Sequence, residues 1–183
     1  MMIESAHVNR EETMSNQSKS DRPSFKGLSW HRDQYYSFFA PMEWQKIMWP
    51  DGRQGTILLP NSEDLQTLFA IEVVDLGTDV TSDDIPYLAQ GLRDGIKALT
   101  DPKIEMTEEK VTGRLIELRA KYSFMDGEQR RKRWVRVFYF KGHQVTVTAQ
   151  GATEEAYDYW LSMFNEAMMT TKIHDTMPEQ PPI

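Results

Sequence analysis

The chain has 183 residues, with 28 acidic against 21 basic side chains, a net charge of −7 and no cysteine. That length supports one core rather than two ordinary domains, and the lack of cysteine excludes disulfides, thiolate metal sites and cysteine nucleophiles. The acidic balance argues against broad attraction to nucleic acid or anionic membranes and favours solubility.

Residues 1–27 are dominated by Ser, Asn, Glu, Asp, Lys and Arg, a composition that buries too little apolar surface to order itself and predicts a flexible polar tail. Residues 174–183 carry three prolines without periodicity and read as a second flexible tail. A single domain is expected over 28–173. No stretch approaches the roughly 18 apolar residues of a membrane span. The N-terminus lacks a basic-then-apolar leader, so the expected compartment is the cytoplasm.

Within the domain the first expected strand is Tyr35 to Ala40, ended by Pro41, which removes a ladder donor. Thr56 to Leu59 and Leu68 to Val74, apolar and β-branched, predict two core strands. Thr81-Ser-Asp-Asp84 then offers a capping hydroxyl and carboxylates near the positive end of a helix dipole. Ile85, Leu88, Ala89, Leu92, Ile96 and Leu99 follow at helical spacing, so one stripe of this helix faces a core.

Three further strands are expected at Glu105 to Val111, Arg114 to Phe124 and Arg130 to Lys141. Asp126-Gly127 is read as a two-residue type I′ turn, which places Met125 opposite Glu128. Counting outward puts Glu117 opposite Arg136, Arg119 opposite Trp134, Leu118 opposite Val135 and Ile116 opposite Val137. His143 to Ala149 alternates Val145, Val147 and Ala149 with Thr146 and Thr148, a strand with one buried and one wetter face. Thr153 with Glu154 and Glu155 opens a second helix bearing Tyr157, Trp160, Leu161, Phe164 and Met168 on one stripe. The fold class is therefore α+β, a largely antiparallel sheet flanked by amphipathic helices.

Chemistry-bearing motifs are sparse. His7, His31, His143 and His174 form no ligand-spaced pair, and His143 reads as a turn residue after Gly142. No phosphate-binding glycine loop and no Gly-x-Ser-x-Gly elbow occurs, so no cofactor and no metal is expected. Asp75, Asp79, Asp83 and Asp84 match no calcium loop and read as a capped helix start with solvated carboxylates. No catalytic residue stands out, so no enzyme is expected.

The sharpest charge feature is Arg130-Arg131-Lys132-Arg133 with Trp134 and Arg136. The strand pleat divides it, with Arg131 and Arg133 on one face and Arg130, Lys132, Trp134 and Arg136 on the other. The second group is the candidate interaction surface. A paired or solvated strand is favoured over a nucleic-acid site, and a protein partner lies between those readings. Trp134, Phe138 and Phe140 share one face and Val135, Val137 and Tyr139 the other; a sheet with a helix packed on each side accounts for this, and so does a sheet presenting one apolar face to a partner, with simple core packing favoured.

The order of elements resembles the PsbP/Mog/DcrB-like family. The residues that carry the likeness are Tyr35-Tyr-Ser-Phe-Phe-Ala-Pro41 with Trp44, Leu68-Phe-Ala-Ile-Glu-Val-Val74, and the Trp134 to Phe140 strand leading to Thr153-Glu-Glu155. The resemblance implies an α-β-α sandwich without a common enzymatic activity. Its members are accessory proteins that bind other proteins, among them photosystem subunits, a Ran-binding regulator and chaperone-like proteins of secretion effectors. The chain departs from the secreted and lipoprotein branches in showing no leader peptide and no lipid-attachment cysteine. No functional residue of those members matches a numbered position. The expected role is a non-catalytic accessory or protein-binding module, with a protein partner or a second copy of the chain. The alternative is a small-molecule-binding protein or a hydrolase that uses a pocket between sheet and helix with Glu72 or Glu117.

Overall fold

Apolar and β-branched runs on either side of the helical stripe at 85–97 supply the strands between 54 and 151, which join into one antiparallel sheet. The computed structural model describes residues 23–174. The expected polar tails fall outside these residues except at 23–27 and His174. Gly27 accepts a hydrogen bond from the Met42 N–H at 3.0 Å, and the His174 N–H donates to the Tyr35 carbonyl at 2.8 Å, so both positions are tied to the domain.

The strands are β1 (Leu28–Arg32), β2 (Tyr36–Pro41), β3 (Gln45–Ile47), β4 (Gln54–Leu59) and β5 (Leu68–Asp75), followed by helix α1 (Ile85–Lys97). Then come β6 (Thr100–Thr112), β7 (Leu115–Asp126), β8 (Gln129–Phe140), β9 (His143–Gly151), helix α2 (Glu154–Thr170) and the short β10 (Lys172–Ile173). The main sheet has seven strands in the order β3-β4-β5-β9-β8-β7-β6, and β1-β2-β10 form a small second sheet. β1, β3 and β10 were not expected. Each is short, and β1 sets polar Ser29, His31 and Arg32 beside Leu28 and Trp30, so no run of apolar residues marks it.

Local signals place both helices. The Asp84 carboxylate accepts from the Thr81 N–H at 2.8 Å and from its hydroxyl at 3.0 Å, fixing a short turn of 3₁₀ helix before α1. The Thr153 hydroxyl caps α2 by accepting from the Ala156 N–H at 3.1 Å. Each helix covers one face of the main sheet. Tyr157, Phe164, Ala167 and Met168 of α2, with Tyr36, Phe38 and Ala40 of β2, bury Phe69, Ile71, Val73, Trp134, Phe138, Val145 and Val147. Ala89 and Ile96 of α1 bury Ile116, Leu118, Ala120, Val135 and Val137 on the opposite face. The architecture is an α-β-α sandwich, as the patterning predicts.

The β7-β8 register departs from expectation by two residues. Asp126 pairs with Gln129, so Gly127 and Glu128 are the turn residues. Gly127 has φ +62° while Glu128 stays out of the left-handed region, the pattern of a type II′ turn, which places glycine first. Glu117 therefore lies opposite Phe138, Arg119 opposite Arg136, Lys121 opposite Trp134, Leu118 opposite Val137 and Ile116 opposite Tyr139. Because the slip is even, every side chain keeps its face. β6 forms one outer edge of the sheet, and its pairing with β7 breaks register twice, between Thr100 and Lys103 and between Ile104 and Met106.

Candidate functional site

The four residues expected to form an interaction surface do share one face of β8. Two of them are interior. Trp134 is 5% exposed, and Arg136 is 6% exposed beneath the C-terminal end of α2. Arg136 donates from Nε to the Glu117 carboxylate at 2.6 Å and from Nη1 to the Met168 carbonyl. A helix C-terminus leaves carbonyls unpaired and carries partial negative charge, so this guanidinium ties α2 to the sheet. Trp134 carries the Lys121 ammonium 4.2 Å from its ring centre. The other two are engaged at the periphery: Arg130 pairs with Asp101, and Lys132 lies 3.1 Å from Glu105.

Glu117 sits between two arginines, since Arg119 also donates to it, from Nε at 2.6 Å and from Nη2 at 3.0 Å. Burial would raise the Glu117 carboxyl, but the hydrogen bonds from Arg119 and Arg136 outweigh it and hold its pKa below the usual value. The group stays ionised and is poorly suited to general-acid work. Glu72 is held by Arg53 at 3.1 Å. Neither carboxylate is among the residues that line the cleft described next. His143, expected in the turn, is instead the first residue of β9, just past the turn residues Lys141 and Gly142, with Nδ1 2.9 Å from the Lys141 carbonyl. Among the described residues no group of three or more His, Asp or Glu is placed to hold a metal ion.

One opening lies on the α1 face. α1 runs over β6 and β7. Further along the same face Ile57, Leu59 and Ala70 are covered by Ile47, Trp49 and Leu68, and Trp49 is anchored by its ring N–H to the Ile71 carbonyl at 2.9 Å. Between these two covers the side chains of β8 on this face lie buried at the edge of α1, while Gln144, Thr146 and Thr148 of β9 are left half-buried. The result is a cleft of about 420 Å³, floored by Val135, Val137 and Tyr139 of β8 and Gln144, Thr146 and Thr148 of β9. Its walls and ends are Tyr87, Leu88, Gly91 and Leu92 of α1 with Tyr122 and Arg133.

Four features of the sequence shape this cleft. The Val-Thr alternation of β9 turns Val145 and Val147 into the α2 core and leaves Thr146 and Thr148 half-buried on the other side. Gly91 removes a side chain from the helix wall; a Cβ built there meets nothing within 4 Å. Tyr87 stands 79% exposed at the rim. Gln144 donates to the Thr146 hydroxyl at 3.1 Å, so the floor is partly organised by its own hydrogen bonds. The wetter face of β9 was the sequence signal for this site.

A second surface was missed altogether. Trp30 and Phe39 lie directly opposite each other on β1 and β2 and are 56% and 41% exposed, with Leu28 on the same face.

No family model matches the chain, and no curated protein matches it in sequence. Solved structures do match it in fold. Cyanobacterial PsbP (CyanoP) from Synechocystis sp. PCC 6803 is similar at a TM-score of 0.59 and 14% identity, over 80% of this chain and 92% of that one. PA94, a protein of unknown function from Pseudomonas aeruginosa, is similar at a TM-score of 0.52 and 16% identity, over 86% of this chain and 100% of that one. LpqN, involved in cell envelope biogenesis of Mycobacterium tuberculosis, is similar at a TM-score of 0.56 and 12% identity, over 83% and 91%. The chain has the PsbP-like α-β-α fold.

Proposed function

We propose that this chain is a non-catalytic binding protein whose ligand site is the cleft between α1 and the main sheet. The observation that carries this reading is the cleft itself, of about 420 Å³ and lined by apolar side chains with a few hydroxyls, an amide and one guanidinium. Its volume and lining match those of small-molecule sites. No carboxylate or imidazole is among the lining residues, which supports binding over hydrolysis. A screen of small organic compounds against the ¹⁵N-labelled full chain tests the reading. Shifts clustered at Gly91, Thr146 and Thr148 are expected, and compounds that bind but shift only amides elsewhere would refute it.

A protein partner is the second reading, favoured by the exposed Trp30 and Phe39 pair rather than by the charged hairpin. Contiguous exposed apolar surface of this kind marks protein contacts. A partner that is captured by the native chain and lost on Trp30→Ser with Phe39→Ser supports it. Equal capture by both proteins removes it.

A further inference from the structure

The cleft ends at an arginine with an unusual set of neighbours. Along β7 and β8 the other arginines each face a carboxylate: Arg119 has Glu117 and Glu108, Arg130 has Asp101, Arg131 has Asp126 and Arg136 has Glu117. Arg133 has none among the described residues. Its Nε and Nη2 both turn to the Gln150 side-chain oxygen, from Nε at 2.8 Å, and its Nη1 lies 3.4 Å from the Tyr122 hydroxyl. Both partners are neutral. A guanidinium carries five N–H donors, so donors remain on both Nη atoms.

The group is also held in place. The Gln150 amide donates to the Gln66 carbonyl at 2.8 Å, which aims its oxygen at Arg133. The Arg133 guanidinium lies over the Phe124 ring at 4.9 Å and the Tyr122 ring at 5.9 Å. A half-buried, oriented cation without a counter-ion at the end of a cleft fits one anionic group. The planar fork suits a carboxylate, and one positive charge offsets one negative. From Arg133 to Tyr139 the floor runs six residues along β8, about 20 Å at strand rise. Val135, Val137, Leu88 and Leu92 border that path with apolar surface.

We infer that the cleft takes a small organic monocarboxylate with an apolar body, its carboxylate on Arg133 and its body along Val135 and Val137. This rests on the cleft being the ligand site. Gln150 is a positioning residue that holds the guanidinium, and the Thr146 and Thr148 hydroxyls can accept or donate to polar groups on the body.

The probes are octanoate and the uncharged 1-octanol, titrated by calorimetry and ¹⁵N NMR into the full chain, Arg133→Gln and Gly91→Phe. Gly91 lines the cleft and a Cβ there meets nothing within 4 Å, so a ring can be introduced at the helix wall without a clash at its Cβ. Octanoate is expected to shift Thr146, Thr148 and Gly91 and to weaken by about ten- to a hundredfold in Arg133→Gln, the value of hydrogen bonds to a charged group. Octanol binding should be unchanged by Arg133→Gln, and Gly91→Phe should abolish both. Unperturbed amides in β5 and α2 report that each variant is folded. Equal binding of octanoate to native chain and Arg133→Gln, with Gly91→Phe still blocking it, overturns the carboxylate assignment and leaves the cleft standing. If neither probe binds, or Gly91→Phe blocks neither, both the inference and the cleft reading fall.

Discussion

Replacing Glu117 by Leu tests whether the buried triad with Arg119 and Arg136 is a structural joint. The two arginines would respond differently. Arg119 has a side chain 22% exposed and a second carboxylate, Glu108, at 3.6 Å, so it can turn to water or to that partner. Arg136 is interior and keeps no carboxylate, only the Met168 carbonyl and the Phe138 ring 4.8 Å away. The cost is therefore that of one buried charge stripped of its partner, about 3–5 kcal/mol. Urea denaturation followed by far-UV circular dichroism reads this directly. With a slope of about 2 kcal/mol/M the midpoint should fall by about 1.5–2.5 M. Adding Arg136→Met removes the orphaned charge, and the double variant should recover most of the loss, a coupling that the double-mutant cycle measures. A loss below about 1 kcal/mol for Glu117→Leu alone would place the triad with solvent-exposed pairs and refute the argument.

The same carboxylate sets a pH dependence. Its folded pKa is depressed, so its stabilisation is present above the unfolded value of about 4.3 and is lost as pH falls through the lower folded value. Urea midpoints measured from pH 6 downward should drop through that window in the native chain and show a smaller drop in Glu117→Gln. Gly151→Ala should destabilise by about 1–3 kcal/mol in thermal melts, because a Cβ there comes within 2.5 Å of the Thr153 carbonyl and 2.6 Å of the Tyr157 Cβ where β9 enters α2. Gly91→Ala should do the opposite, raising stability by about 0.5–1 kcal/mol, since helical glycine carries an entropic cost and its Cβ would meet open space.

Much of the architecture was legible because it depends on repeating patterns. The stripes Ile85 to Leu99 and Tyr157 to Met168 gave both helices their buried sides, and the split of Val135, Val137 and Tyr139 from Trp134 and Phe138 gave a sheet covered twice. Register was less accessible. Asp-Gly suits a type I′ turn, yet Gly127 alone supplies the positive φ of a type II′ turn, and Arg136 reaches Glu117 diagonally rather than straight across. Burial was hardest to read. Arg136 and Trp134 look like surface residues in a basic run, and only the placement of the α2 terminus over β8 turns them inward. The cleft depends on α1 lying over β6 and β7 instead of β8 and β9, a choice no local pattern encodes.

The outer strand β6 has a bearing on aggregation. Thirteen residues long and exposed along most of its length, it presents unpaired backbone groups of the kind that recruit a foreign strand. Several features blunt that tendency. Asp101 at φ +44° and the two register breaks keep the edge from running straight, Pro102 withholds an N–H, and Lys103, Glu105, Glu108, Glu109 and Lys110 surround the remainder with charge. An edge so interrupted offers an incoming strand only short stretches of matching ladder, each guarded by ions that stacking would have to strip of water.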